Sequence, residues 1–262
     1  MSAYYNENDL KTAAWLRELI KAGLIADGEV DTRSIVDVQA SDLAGFVQCH
    51  FFAGIGGWSY ALRLAGWPDD RPVWTASCPC QPYSVASVAV GGAQGQEDGR
   101  HLWPALFPNI RERKPGVVFG EQVSDAIAWC WWDEVAGQLE GENYACAAAV
   151  LRADAFFAEH RRKRLYWVAH TSRPRRKRHQ SLQRLSVPAQ APQPIDRDPL
   201  TRARRALDGD YRDLLPCDGL SVVMERHALK GYGNALVPQV AAAFIEAYLS
   251  IGAAMKAPEA RP

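Results

Sequence analysis

His50-Phe51-Phe52-Ala53-Gly54-Ile55-Gly56-Gly57 reads as a buried strand that runs into a glycine turn and then a helix. The apolar run Phe46 to Phe52 supplies the strand, and Trp58 to Ala65, closed by Gly66, supplies the helix. Such a turn lets a ligand approach the backbone closely, and the helix start offers free N–H groups. On its own the stretch fits a plain structural turn as well as a site for a nucleotide-like cofactor.

The pattern continues in both directions. Downstream, Val73 to Ser77 reads as a strand ending at Cys78-Pro79-Cys80. Ser84 to Gly99 is small and glycine-rich, a mobile loop. Leu102 to Arg111 reads as a helix, Gly116 to Gly120 as a strand ending at Glu121, and Ala126 to Leu139 as a helix. Ala145 to Leu151 and Leu165 to Ala169 read as strands, and Val237 to Leu249 as a final amphipathic helix. Upstream, Thr12 to Ala22 has helical spacing with Gly23 as its stop, and Ser34 to Val38 is a short strand candidate. Strands alternating with helices predict an α/β fold, a mostly parallel sheet with helices on both faces.

Bulk properties narrow the class. The 262 residues are 48 % hydrophobic and 23 % charged, which fits a globular chain. No apolar run reaches membrane-spanning length, and Met1 to Leu10 lacks a signal peptide's apolar stretch, so a cytoplasmic protein is expected. The six cysteines then read as reduced thiols. Cys78 and Cys80 are too close for usual zinc spacing, so no metal is expected. Formal net charge is zero, yet basic residues far outnumber acidic ones from Arg173 to Arg212. A local basic patch on a neutral protein suits a phosphate backbone.

Ser77-Cys78-Pro79-Cys80-Gln81-Pro82-Tyr83-Ser84 is the more specific stretch. Parallel sheets place ligands at the carboxyl ends of their strands, and a thiolate there is a candidate nucleophile. The alternative is a buried structural cysteine, which the prolines and the following glycine-rich loop disfavour.

Taken together, Phe-Ala-Gly-Ile-Gly-Gly, Pro-Cys-Gln-Pro-Tyr-Ser and Gly120-Glu121-Gln122-Val123 resemble the DNA cytosine-5 methyltransferase family. His160-Arg161-Arg162-Lys163-Arg164-Leu165 resembles that family's Gln-x-Arg-x-Arg segment, and Gly233-Asn234-Ala235-Leu236-Val237-Pro238 its Gly-Asn-x-x-x-Pro segment. The resemblance spans residues 51 to 238. It implies a Rossmann-like S-adenosylmethionine-dependent methyltransferase fold with a small basic recognition segment. It implies methyl transfer to carbon-5 of cytosine in double-stranded DNA, with the target base flipped out of the duplex. Cys80 is then the thiolate that adds to carbon-6, Glu121 the carboxyl on the base edge, and Arg164 the guanidinium at O2, with Arg162 in support. Phe52, Gly54 and Gly56 match the cofactor turn, and Asn234 the segment that helps close that site. Gln81, Ser84, Arg100, Arg175, Arg176 and Arg178 are the expected DNA contacts. Compact enzymes of this kind resemble those carried by phages and prophages, with restriction-modification, protection of invading DNA and regulation as alternative roles.

The order of the motifs departs from the family. Tyr5-Asn6-Glu7-Asn8-Asp9 resembles the ribose segment, and Val30-Asp31-Thr32-Arg33-Ser34-Ile35 the adenine segment, yet both precede the glycine turn. A local permutation is expected, with two sheet strands moved ahead of the first and Glu7 and Asp31 serving the cofactor. Packing depends on which strands are neighbours, not on chain order. Gln122 stands where the family has Asn, His50 where it often has Asp, Glu159-His160 where it has Pro-Gln, and Asn8 where an apolar or aromatic residue often covers the adenine. The expected organisation is a catalytic domain over residues 1–170 plus 226–262, with 1–45 supplying the permuted strands, and a short target-recognition segment over 171–225. A monomer is expected. Competing readings are a tRNA cytosine-5 methyltransferase and a catalytically weak nucleic-acid-binding protein on the same scaffold; an oxidoreductase accounts for the glycine turn alone.

Overall fold

Apolar side chains alternate along every central strand, and both faces of the resulting sheet are covered. The computed structural model describes residues 2–79, 102–127, 130–156, 162–171 and 236–254. Its strands are β1 (Ala3–Asn6), β2 (Gly28–Asp31), β3 (Gln48–Phe51), β4 (Val73–Ala76), β5 (Val117–Val123), β6 (Tyr144–Arg152) and β7 (Lys163–Thr171). Its helices are α1 (Leu10–Lys21), α2 (Gly57–Leu64), α3 (Trp103–Arg113), α4 (Trp131–Gly141) and α5 (Pro238–Ala254).

The strands form one sheet in the order β2-β1-β3-β4-β5-β7-β6. From β2 to β5 all neighbours are parallel, and β7 runs antiparallel to both β5 and β6. The two strands ahead of the glycine turn therefore lie outside β3, parallel to it. If the glycine-turn strand is counted first, the parallel part takes the 3-2-1-4-5 order of a doubly wound α/β sheet.

On one face, Tyr4, Cys49, Phe51, Trp74, Val118 and Trp167 pack with Trp103, Leu106 and Ile110 of α3 and Trp131, Val135 and Leu139 of α4. On the other, Tyr5 meets Leu16 and Leu19 of α1, while Phe119 and Tyr166 meet Trp58 and Leu62 of α2 and Val240 and Ile245 of α5. The last helix thus returns to the sheet, as its amphipathic spacing predicts.

Local signals account for most boundaries. Asp9 caps α1: its Oδ1 accepts from the backbone N–H of Lys11 at 3.1 Å and Thr12 at 2.8 Å. Gly23 follows the helix at φ +69°. Three expectations need correction. Ser34 to Val38 is not a strand; Ile35–Asp37 forms a 3-10 turn, with the Asp37 N–H on Ser34 O and the Ser34 hydroxyl at the Val36 N–H. The strand read as ending at Gly120 continues to Val123, because β7 pairs with it through Gly120↔Trp167 and Val123↔Arg164. The helix read over 126–139 is broken into a 3-10 turn, Ser124–Ile127, and α4, with Cys130 at φ +57° ahead of it. The recognition segment read over 171–225 lies, apart from Thr171, outside the described residues.

Candidate active site

Five parallel strands end on the same side of the sheet, and the chain's candidate chemistry collects there. A solvent-open cleft with about 430 Å³ of empty space is lined by Asn6, Glu7, Asn8, Ile35, Phe52, Pro79 and Leu102. These residues come from the ends of β1, β3 and β4, the loop after β2 and the start of α3.

The glycine turn is strained and held. Phe52 adopts φ +54° and Gly54 φ +55°. A left-handed aromatic residue costs about 1–3 kcal/mol and persists only where its surroundings fix it. Here Ala53 N–H donates to Asn6 O at 2.9 Å, and Gly54 N–H donates to Glu7 Oε2 at 2.9 Å. The second Glu7 oxygen accepts the Asp9 N–H at 2.9 Å. Gly56 plays a different part. At φ +79° it heads α2, and a Cβ there would come within 3.1 Å of Ile25 and 3.3 Å of Leu16. It serves helix packing and is not a lining residue.

Asp31 ends the neighbouring strand with its half-buried carboxylate held by protein groups. Oδ2 accepts from Tyr4 Oη at 2.7 Å and Arg33 Nη2 at 2.7 Å, and Oδ1 accepts the Arg33 N–H at 2.9 Å. Burial works to raise its pKa, but the Arg33 contacts outweigh it and hold the carboxyl below its ordinary value. Arg33 also reaches Asp42 at 3.0 Å.

At the ends of β5 and β7, Glu121 and Arg164 are diagonal neighbours across an antiparallel pair, since Glu121 faces Tyr166 and Val123 faces Arg164. Arg164 Nε lies 2.8 Å from Glu121 Oε1. The guanidinium and the carboxylate form a close ion pair. Burial pushes the Glu121 pKa up, against the opposing pull of Arg164 and Arg162. A buried carboxyl that readily holds a proton beside a guanidinium suits a ring with both acceptor and donor edges. Next to it, Gln122 is buried; its Oε1 accepts the Val123 N–H at 2.9 Å and its Nε2 approaches Cys78 O at 3.5 Å. Burial raises the Cys78 thiol to about 12, which makes it a poor nucleophile.

A family model described as C-5 cytosine-specific DNA methylase matches residues 67–202, just over half of the 262-residue chain. The chain belongs to this family. The cytosine-5 methylase match begins past the glycine turn, so β1, β2 and β3 all lie ahead of it. Among curated proteins there is no match. Solved structures that it resembles include the Entamoeba histolytica methyltransferase EhMeth (16 % identity, 68 % of this chain and 55 % of that one, TM-score 0.36). The S. pombe Dnmt2 methyltransferase is 14 % identical over 68 % of this chain and 53 % of that one, with TM-score 0.39. A putative DNA modification methyltransferase encoded within an E. coli prophage is 12 % identical over 65 % of this chain and 47 % of that one, with TM-score 0.40. The chain spans about half the length of these structures.

Of the residues singled out in this methylase sequence, the structure brings Glu7 and Phe52 to the cleft, ties Gly54 to Glu7, and joins Glu121 to Arg164. Cys80, Gln81, Ser84, Arg100, Arg175, Arg176, Arg178 and Asn234 lie outside the described residues. Asn6, Ile35, Pro79 and Leu102 line the cleft without having been singled out. The signal that could have found them was position, because Asn6 and Pro79 sit at or just past the carboxyl ends of parallel strands. Among the described residues no cluster of side chains suits a metal ion, and no helix is long and apolar enough to cross a membrane.

Proposed function

We propose that the chain transfers a methyl group from S-adenosylmethionine to carbon-5 of cytosine in double-stranded DNA, with Cys80 as nucleophile. The observation that carries this reading is the pairing of buried Glu121 on β5 with Arg164 on β7, at the sheet edge where the ends of β1, β3 and β4 form the cleft of Glu7, Phe52 and Pro79, the residue directly before Cys80.

The cleft's chemistry fits the cofactor. Glu7 offers a carboxylate to ribose hydroxyls, Ile35, Phe52 and Leu102 offer apolar surface to a flat base, and Gly54 keeps the backbone open with nothing near its missing Cβ. Asp31 serves that site through the loop it braces with Arg33. When bound, S-adenosylmethionine supplies an electrophilic methyl group.

The protein's own residues prepare the cytosine. The Cys80 thiolate adds to carbon-6, and the ring's electron density moves to carbon-5. Glu121, which holds a proton readily, meets N3 and the exocyclic amino group and stabilises the charge that develops there. Arg164 holds O2, and Arg162 adds positive charge around the same carboxyl. After methylation carbon-5 gives up its proton, and elimination returns the Cys80 thiolate. The arginines of residues 171–225 neutralise phosphates more than they read bases, so a short recognition sequence is expected.

The deciding assay uses labelled S-adenosylmethionine with mixed-sequence duplex DNA, and tRNA in parallel. Label at carbon-5 of DNA cytosine with the wild type and none with Cys80→Ser is the expected result. Label on tRNA alone would move the substrate to RNA. Cofactor binding without label on either would leave a binding protein on this scaffold.

A further inference from the structure

Between the two walls of the cleft sits one dipeptide, Asn6-Glu7, at the end of β1. Because β1 lies between β2 and β3, this dipeptide touches both neighbouring loops. Toward the glycine turn, Asn6 O accepts the Ala53 N–H at 2.9 Å and Glu7 Oε2 accepts the Gly54 N–H at 2.9 Å. Toward the loop after β2, Glu7 N–H donates to Asp31 O at 3.0 Å and Asn6 Nδ2 donates to Arg33 O at 2.9 Å. That last bond crosses to the segment that brings Ile35 into the cleft.

We propose that Asn6 is a positioning residue that couples the two walls of the cofactor cleft, acting through Arg33 O on one side and the glycine turn on the other. Asn6 is only 3 % exposed, so a polar side chain has been taken out of water here, which is costly without a partner. Arg33 O can only accept, so the amide nitrogen faces it; no carboxylate of the same shape replaces that donor. The Arg33 side chain braces the loop separately, through Asp31 and Asp42. Without the Asn6 amide the loop keeps that brace and the bonds from Tyr4 and Glu7 to Asp31, but loses the one from β1 to Arg33 O, and Ile35 is held less firmly in register with Phe52.

The proposal rests on the cleft being the S-adenosylmethionine site, and its test separates the two. Binding of S-adenosylhomocysteine is measured by calorimetry for wild type, Asn6→Ala and Asn6→Asp, with amide hydrogen exchange on each. Both variants are expected to bind about tenfold or more weakly, with faster exchange over residues 33–37 and unchanged exchange over 117–123; Asn6→Asp, which places a carboxylate in this buried position, should also melt at a lower temperature than Asn6→Ala. Methyl transfer should show a raised KM for the cofactor with kcat retained at saturation. Wild-type affinity in Asn6→Ala, or recovery of affinity in Asn6→Asp, overturns the proposal, the latter because it would make the side-chain oxygen, not the donor, the working group. In the unaltered protein, ligand should slow exchange over 33–37 together with 53–54; slowing at the glycine turn alone also overturns the coupling, whether or not the variants fold. Failure of the wild type to bind the ligand at all overturns the cofactor reading instead, while the exchange of residues 33–37 in Asn6→Ala still reports the tie.

Discussion

Glu121 combines two opposed influences, and both have measurable consequences. Burial favours its protonated form, while Arg164 and Arg162 favour the charged one. Burial wins, so the folded protein binds this proton more tightly than the unfolded chain does. Its contribution to stability is full below the ordinary carboxylate pKa and declines as pH rises through the folded value. Glu121→Gln is neutral throughout and lacks that decline. Relative to wild type it should gain stability as pH rises above the ordinary carboxylate range in denaturant titrations, and lose about 10²–10⁴ in kcat. Relative stability that falls with rising pH would contradict the burial argument. His50 behaves oppositely. It is fully enclosed, stacked on Tyr5 at 4.8 Å between centroids, with Nδ1 2.9 Å from Thr75 Oγ1 and Nε2 3.3 Å from Gln48 Oε1. Gln48 Nε2 donates to Pro68 O at 3.2 Å, which turns Oε1 to the ring and puts the His50 proton on Nε2. Burial depresses its pKa to about 3. The unfolded chain therefore binds a proton that the folded one refuses, and stability falls as pH drops below about 6.5, by up to about 1.4 kcal/mol per pH unit. His50→Gln should flatten that slope; an unchanged slope would show that other groups set it.

At the scale of elements, the β5–β7 pair decides where the candidate catalytic groups stand. Gly120 lies under the Trp167 indole, and a Cβ there would fall 2.1 Å from its Cε2 and Cζ2 atoms. Trp167 is itself fully buried against Trp103 and Trp132. Neither strand nor ring has room to retreat. Gly120→Ala should cost about 1–3 kcal/mol, lower the melting temperature by several degrees, and displace Glu121 on the adjoining peptide. A melting temperature equal to wild type would mean that the sheet yields here. The glycine was legible in Gly120-Glu121-Gln122-Val123, but its reason was not, because Trp167 lies far along the chain and meets it only through antiparallel pairing.

For the whole molecule, the consequence of chain order is that β3 stands inside the sheet with both neighbours from different stretches of chain. β1 covers its outer edge, and Tyr4 packs against Phe46 at 5.3 Å and Phe51 at 6.0 Å. Deleting residues 2–47 should therefore abolish cooperative unfolding and expose an unpaired apolar strand, not merely remove a cap; a soluble truncated chain with a sharp melt would refute this. The amino-acid sequence by itself determined the α/β class, the glycine turn, the Gly23 stop of α1 and the family. These are local: they rest on the period of apolar residues, on residues that favour caps and turns, and on short contiguous motifs. Tertiary structure alone decided that Ser34 to Val38 would turn instead of pair, that β5 would extend to Val123, that Asp31 would bond Tyr4 and Arg33, and that Asn6 would join two loops. The strand extension, the Tyr4 bond to Asp31 and the Asn6 bond depend on partners distant in sequence, while the turn at Ser34 uses its own hydroxyl and carbonyl; in each a hydrogen bond or a packed ring outweighs local strand propensity.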